Sequence, residues 1–169
     1  MTRAQALAAE GPVVVSPDPG GIKRAQLFAE LLGRRLERPV GLAFIEKRRS
    51  AGKVSGSLLA GDVGGSTALV IDDLIATGGT LRRAAATCLE GGAKRVVAFA
   101  AHGLFAAGAE QMLLDPSFAA IVVGDAVPAL HLSEAARARV TYEPAAPLFA
   151  RAVQCLEKGL ATTELTALG

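Results

Sequence analysis

The sequence is poor in aromatic residues and in excess charge. Its 169 residues include no tryptophan, one tyrosine and six phenylalanines, and 18 basic residues face 16 acidic ones, for a net charge of +2. Proteins that bind nucleic acid usually carry a clear basic excess together with aromatic side chains that stack on bases. We therefore expect no nucleic-acid partner.

Long hydrophobic runs and cysteines are scarce as well. No apolar stretch approaches the ~18 residues that span a bilayer, so the sequence predicts no membrane partner. The two cysteines, Cys88 and Cys155, occupy apolar positions of helical patterns in a sequence without a recognisable secretory signal. We expect both to be reduced thiols of a cytoplasmic protein.

What remains is an apolar, lightly charged chain. Hydrophobic residues make up 51% of it and charged residues 20%. This balance excludes disorder and predicts one domain with one core over residues 1–169. Within it, residues 1–11 are expected to form an N-terminal arm and residues 158–169 a C-terminal tail.

Short β-branched segments alternate with helical patterns along the chain. The strand candidates are PVVVS (12–16), VGLAFIE (40–46), TALVI (67–71), RVVAFAA (95–101) and FAAIVVG (118–124). Amphipathic helical periods occupy 22–32, 81–90 and 148–158, and a weaker one occupies 106–114. Parallel strands need crossover connections, which are usually helices. The sequence thus predicts an α/β fold, doubly wound, with a mostly parallel sheet of about five strands flanked by helices.

The stretch VIDDLIATGGTL, from Val70 to Leu81, combines acidic residues with a glycine-rich turn. Asp72 and Asp73 could accept hydrogen bonds from sugar hydroxyls or meet a metal ion. The TGGT turn opens the clearest helix, where free N–H groups and the helix dipole favour an anion. The Walker motif GxxxxGK[ST] and the GxGxxG fingerprint are both absent. We interpret the stretch as a sugar-phosphate site; the alternative is that the acidic pair only caps the helix.

Several segments together resemble one enzyme family. VIDDLIATGGT resembles the 5-phosphoribosyl 1-diphosphate (PRPP) loop shared by type I phosphoribosyltransferases and PRPP synthetases. VVVSPDPGGIKRA (13–25) is similar to the diphosphate-side loop of PRPP synthetases, and IEKRRSAGKVSG (45–56) to their flexible catalytic loop. AHGLF, VVGDAVP and APLFARAV follow in the order of that family. Over about residues 12–157, the sequence is identified as a member of the PRPP synthetase (ribose-phosphate pyrophosphokinase) family, with a type I phosphoribosyltransferase fold.

This resemblance implies an activity and its residues. Ribose 5-phosphate and ATP would be the substrates, and the diphosphoryl group of ATP would pass to the ribose 1-hydroxyl to give PRPP and AMP. Asp72 and Asp73 would bind the ribose hydroxyls, and the 5-phosphate would lie on Ala76, Thr77, Gly78, Gly79 and Thr80. Lys47 and Arg49 would act as catalytic residues over the triphosphate of ATP, and Asp18 would help to hold Mg²⁺. The resemblance further implies a homo-oligomer.

Two departures from the family leave alternatives open. Ala76 stands where many members carry a carboxylate, and the chain matches only the second of two tandem domains. The first domain normally supplies much of the adenine pocket and a histidine metal ligand; for His102 and His131 we expect structural roles instead. The alternatives are a phosphoribosyltransferase acting on PRPP and a non-catalytic module that binds ribose phosphates or nucleotides. Residues 47–57 are predicted to form a mobile loop in the absence of nucleotide.

Overall fold

The computed structural model describes Ala4 and residues 11–50 and 53–165, with only the backbone at 47–50, 53–56 and 164. The strands are β1 (Pro12–Ser16), β2 (Gly41–Ser50), β3 (Lys53–Ala60), β4 (Thr67–Ile75), β5 (Arg95–Gly103), β6 (Phe118–Gly124) and β7 (Val140–Glu143). The helices are α1 (Ile22–Leu36), α2 (Gly79–Glu90), α3 (Glu110–Leu113), α4 (Glu134–Ala138) and α5 (Ala146–Glu157). Short 3₁₀ turns occupy Pro19–Gly21 and Thr162–Leu165.

The strands form one sheet in the order β3-β2-β1-β4-β5-β6-β7. Every neighbouring pair is parallel except β2 and β3, which are antiparallel. The prediction of a mostly parallel sheet is confirmed, but its strand number was wrong, because the sheet formed by the described residues has seven strands and not about five. The two that the sequence did not reveal, β3 and β7, lie at opposite edges of the sheet, where hydrogen bonds to a single neighbour suffice.

Helices cover both faces of the sheet, which confirms the doubly wound architecture. Successive residues of β1 point to opposite faces, so Val13 and Val15 belong to one buried cluster and Val14 to the other. The first cluster includes Leu81 and Ala84 of α2 together with side chains of α3 and α4. The second is formed with Ala25, Ala29 and Leu32 of α1. Burial on both faces explains why β1 is a continuous apolar run.

The ends of the two long sheet-packed helices follow from local chemistry. Asp18 caps the 3₁₀ turn that leads into α1, and α1 ends at Glu37 in the left-handed conformation, with φ of +52°. α2 begins after Gly78, whose φ of +77° favours glycine, and ends at Gly91. No helix in the described part of the chain has both the length and the apolar composition that crossing a bilayer requires.

Candidate functional site

The acidic pair lies inside β4, near its carboxyl end. The sequence placed Asp72 and Asp73 after a strand that ends at residue 71, but β4 continues to Ile75 and pairs with β5 as far as Gly103. Burial along β4 is continuous only through Ile71, so the strand carries its two carboxylates beyond the core. The cap of α2 is Gly78, with no side-chain hydrogen bond. The alternative that the acidic pair caps this helix is therefore wrong.

The two carboxylates differ in environment although they are adjacent. The side chain of Asp72 is 15% exposed and that of Asp73 is 66% exposed. Burial raises the pKa of Asp72, whereas a hydrogen bond with the Asp72 side chain lowers the pKa of Asp73. The backbone N–H of Asp73 also donates to Asp72 Oδ1 at 2.9 Å. One acceptor is thus held by the fold, and the other faces solvent.

Arg24 of α1 joins the acidic pair from the neighbouring helix. Its Nη1 lies 3.4 Å from Asp72 Oδ1, and its Nη2 lies 3.0 Å from Asp73 Oδ2. The sequence did not predict this contact, since the partners are 48 and 49 positions apart. The one sequence feature that pointed to this arginine was the basic pair Lys23 and Arg24, which follows shortly after SPDPGG. Arg24 therefore fixes the orientation of the two carboxylates and partly balances their charge.

The turn after β1 places Asp18 at the carboxyl end of β1, on the side of the sheet where β4 also ends. Asp18 Oδ1 accepts a hydrogen bond from the N–H of Gly21 at 3.0 Å, and Ser16 Oγ donates to the Asp18 carbonyl at 2.6 Å. A β-carbon on Gly21 would lie 2.6 Å from Ser16 Oγ and 3.4 Å from Arg24 Nη1, so a larger residue here would displace the Ser16 hydroxyl. The compact turn thus packs directly against the arginine that holds the acidic pair.

The loop between β4 and α2 forms a small concavity beside Asp72. It has a volume of about 100 Å³ and is lined by Asp72, Leu74, Ile75, Ala76, Thr77, Gly78, Gly79, Thr80 and Leu81. This volume lies below the ~300–1,000 Å³ of pockets that hold drug-sized ligands, so it suits a phosphate group better than a nucleotide. Gly78 packs on Met112, whose Cβ would lie 2.5 Å from a β-carbon built on the glycine. Because α2 has no side-chain cap, the N–H groups of its first turn remain available to an anion.

The predicted catalytic residues lie on a β-hairpin. Lys47 and Arg49 are in β2, at positions that pair with Ser57 and Val54 of β3, and the register shifts between Arg48 and Arg49. The sequence predicted a loop over residues 47–57, but 47–50 and 53–57 form antiparallel strands, and residues 51 and 52 lie outside the described residues. The predicted mobility of this segment stays a prediction.

The sheet order brings the predicted site residues to the side of the sheet where the parallel strands have their carboxyl ends. β1, β2 and β4 are parallel, with β1 in the middle, so their carboxyl ends meet on the same side of the sheet. Asp18 follows β1, Lys47 and Arg49 occupy the end of β2, and the acidic pair occupies the end of β4. Ligands of open α/β sheets bind outside the carboxyl ends of the strands. Among the described residues, no group of three or more His, Cys, Asp or Glu side chains is arranged to hold a metal ion.

Neither histidine lines the loop concavity. His131 Nε2 lies 2.7 Å from the carbonyl oxygen of Phe105, so the imidazole ties its loop to the loop after β5. His102 lies near the end of β5 and pairs in register with Leu74 of β4. The contact of His131 agrees with the structural role expected from the sequence.

Comparison with known proteins agrees with the fold and with the sequence motifs. The chain belongs to the phosphoribosyl transferase domain family, whose model matches residues 3–114. More particularly, it is 38% identical over 146 residues to a protein of Vibrio cholerae named ribose-phosphate pyrophosphokinase. It is 42% identical over 118 residues, or 69% of this chain, to a protein of the same name from Haemophilus ducreyi, of which 36% is covered.

A solved structure shows the same relationship. The crystal structure of phosphoribosylpyrophosphate synthetase from Mycobacterium smegmatis matches 92% of this chain with a TM-score of 0.77 and 34% identity. The match covers 48% of that chain, and the Vibrio cholerae match covers 86% of this chain and 45% of that protein. The chain thus spans about half the length of the relatives it matches.

Proposed function

We propose that this chain is the ribose 5-phosphate-binding domain of a PRPP synthetase. The observation that carries the proposal is the arrangement at the end of β4. There, Asp72 and Asp73 are followed within one short segment by a glycine loop and by the N-terminus of α2, which has no side-chain cap. The loop concavity suits a phosphate, and Asp72 lines it directly. The 5-phosphate would bind at Ala76–Thr80, and the ribose hydroxyls would donate to the two carboxylates.

The fixed geometry of the acidic pair supports this assignment. Sugar hydroxyls are neutral donors, and a carboxylate whose orientation is already set loses little entropy when it accepts them. Arg24 supplies that orientation through its contacts of 3.4 and 3.0 Å. Asp73, which is largely exposed, keeps room for a ligand beside it.

The proposed reaction transfers the diphosphoryl group of ATP to the sugar. The oxygen of the ribose 1-hydroxyl attacks the β-phosphorus, and the bond from that phosphorus to the α–β bridging oxygen breaks. AMP leaves with the electron pair of that bond, and the hydroxyl proton passes to water. Lys47 and Arg49 would neutralise the charge that develops on the transferred group. Their position at the end of β2, next to β1, supports this role.

The residues at the β1 turn fit Mg²⁺ only together with substrate. Mg²⁺ is usually bound through one or two carboxylates, waters and substrate phosphates. Asp18 offers one carboxylate, of which Oδ1 accepts the hydrogen bond from Gly21. When bound, the ion would supply charge neutralisation on the phosphate oxygens of ATP. Asp18 would hold it from the protein side.

An assay of AMP release tests the proposed activity. Because this chain spans 45% of the Vibrio cholerae relative, it is assayed alone and together with the part of that relative that it does not match. Correct positioning of reactants supplies about 7–11 kcal/mol in well-oriented systems. We expect little or no AMP from the chain alone, and Mg²⁺-dependent AMP and PRPP formation when the other part is present.

Variants of the hairpin sharpen this assay. Lys47→Gln and Arg49→Gln should each reduce turnover by roughly a hundredfold or more, as removal of one charge-stabilising donor does in other enzymes. Arg48→Gln is the matched control, since it makes the same change of charge in the same strand. Robust turnover by the chain alone would contradict the need for a second part. No turnover in any combination would favour a non-catalytic ribose phosphate-binding module.

A further inference from the structure

Arg83 lies at the start of α2, beside the phosphate loop. Its Nη2 donates a hydrogen bond to Thr80 Oγ1 at 3.3 Å, one turn closer to the N-terminus of the helix. Helical side chains lean toward the N-terminus of their helix, which brings the long arginine side chain back over the first turn. The guanidinium is therefore held next to the loop that is proposed to bind the 5-phosphate.

The side chains of Arg83 and Thr77 both approach Gly79, the first residue of α2. A β-carbon built on Gly79 would lie 3.5 Å from Arg83 Nη1 and 3.8 Å from Thr77 Oγ1. Two hydrogen-bond donors thus approach the same point from different sides at the first residue of α2. Unpaired N–H groups and the positive end of the helix dipole add to the attraction for an anion there.

The neighbouring Arg82 has the same charge and lines the same concavity as Arg83, together with Gly79 and Asp115, but it has a carboxylate partner. Its Nε donates to Asp115 Oδ2 at 3.1 Å. Asp115 also accepts hydrogen bonds from the hydroxyl and the N–H of Ser117, and these bonds, with the contact from Arg82, lower the pKa of its carboxyl group. Arg82 is therefore paired with a carboxylate. The bond from Arg83 to a neutral hydroxyl uses only one of the five N–H donors of its guanidinium.

We propose that Arg83 is a further phosphate-binding residue of this site and donates directly to the 5-phosphate of the bound sugar phosphate. This rests on the proposed function, because it adds a residue to the same site. Asp115 lines the same concavity as Arg83, but its carboxylate is already engaged by Arg82 and Ser117. Arg83 makes the loop selective for a doubly charged phosphate group over a neutral sugar, since a guanidinium matches two phosphate oxygens at once.

The test compares four proteins by isothermal titration calorimetry: the unaltered chain, Arg83→Gln, Arg83→Lys and Arg82→Gln. Each is titrated with ribose 5-phosphate and with inorganic phosphate at low and at moderate salt. Arg82→Gln is the matched control, because it removes the same charge from the same exposed side of the same helix. Thermal unfolding of each variant shows whether the fold is preserved, and exposed substitutions of this kind should change it little.

We expect Arg83→Gln to weaken both ligands about tenfold, which is near the lower end of what a charge-assisted hydrogen bond contributes. Arg83→Lys should recover only part of the affinity, because an ammonium group keeps the charge but cannot match two phosphate oxygens as a guanidinium does. Arg82→Gln should stay within about twofold of the unaltered chain. The loss should shrink as salt rises. If the unaltered chain binds ribose 5-phosphate and Arg82→Gln loses as much affinity as Arg83→Gln, the role of Arg83 is overturned and the proposed function is not. Absence of ribose 5-phosphate binding by the unaltered chain would overturn the proposed function as well.

Discussion

Helices α2 and α5 have the same length and the same type of sequence pattern but opposite environments. Each has 12 residues with apolar side chains at helical spacing. α2 buries Leu81, Ala84, Ala85 and Cys88, whereas α5 buries no residue. The apolar side chains of α5 are 50–69% exposed: Leu148, Phe149, Val153 and Leu156.

The topology explains this difference. α2 connects the adjacent parallel strands β4 and β5, and a crossover of this kind packs its helix on the sheet. α5 follows β7, the last strand at the edge, and packs chiefly against the 3₁₀ turn Thr162–Leu165. The comparison shows that an apolar period predicts an apolar face, while the chain connection decides whether the domain covers that face.

The two cysteines should show the largest contrast between these helices. Cys88 is buried in α2, and burial raises the pKa of its thiol to about 12. Compared with an ordinary value of about 8.5, this lowers the thiolate population about a thousandfold or more. Cys155 of α5 is only partly buried. We expect alkylation of the folded protein to modify Cys155 and to spare Cys88, as measured by mass spectrometry over time.

The control for this experiment is the Cys155→Ser variant. It should show no rapid alkylation until denaturant is added, when Cys88 becomes reactive. Rapid modification of Cys88 under native conditions would mean that α2 opens readily, and the contrast between the two helices would then be wrong.

Truncation of one leucine in each helix should show the next largest effect. Leu81 is 1% exposed in α2, and Leu156 is 69% exposed in α5. Leu81→Ala leaves a cavity and should lower the free energy of unfolding by ~2–5 kcal/mol. Leu156→Ala should lower it by less than ~1 kcal/mol. Urea unfolding at low protein concentration measures both. Equal losses would show that the apolar face of α5 is covered in solution.

Much of the fold could be predicted because buried parallel strands are marked by their composition. The bounds of β1 and β6 agree with the segments PVVVS and FAAIVVG. The end of β4 was not predicted, since its ladder with β5 continues through residues that are no longer buried. The hairpin of β2 and β3 was missed because residues 47–57 have no apolar period. Strand β7 has only four residues, too few for a pattern.

The parts of the site that lie close together in the sequence could be predicted, and the contacts between distant segments could not. The acidic pair and the glycine loop are neighbours in the sequence, so their meeting in space follows from local order. The contacts of Arg24 with Asp72 and Asp73 cross from α1 to β4 and leave no local pattern. The hydrogen bond from Arg83 to Thr80 is local, but a basic residue on the exposed side of a helix is ordinarily a solvated one.

The central claim is that the end of β4 and the start of α2 together recognise a sugar phosphate, and calorimetry with ribose 5-phosphate tests it most directly. The Asp72→Asn, Asp73→Asn double variant removes the charge of both ribose-binding acceptors and leaves the phosphate loop intact. Charged hydrogen bonds contribute ~1.5–3 kcal/mol each, so we predict that ribose 5-phosphate binds at least about a hundredfold more weakly to this variant. Binding of inorganic phosphate should change less than about threefold. Equal binding of ribose 5-phosphate to the unaltered chain and to the double variant would contradict the claim.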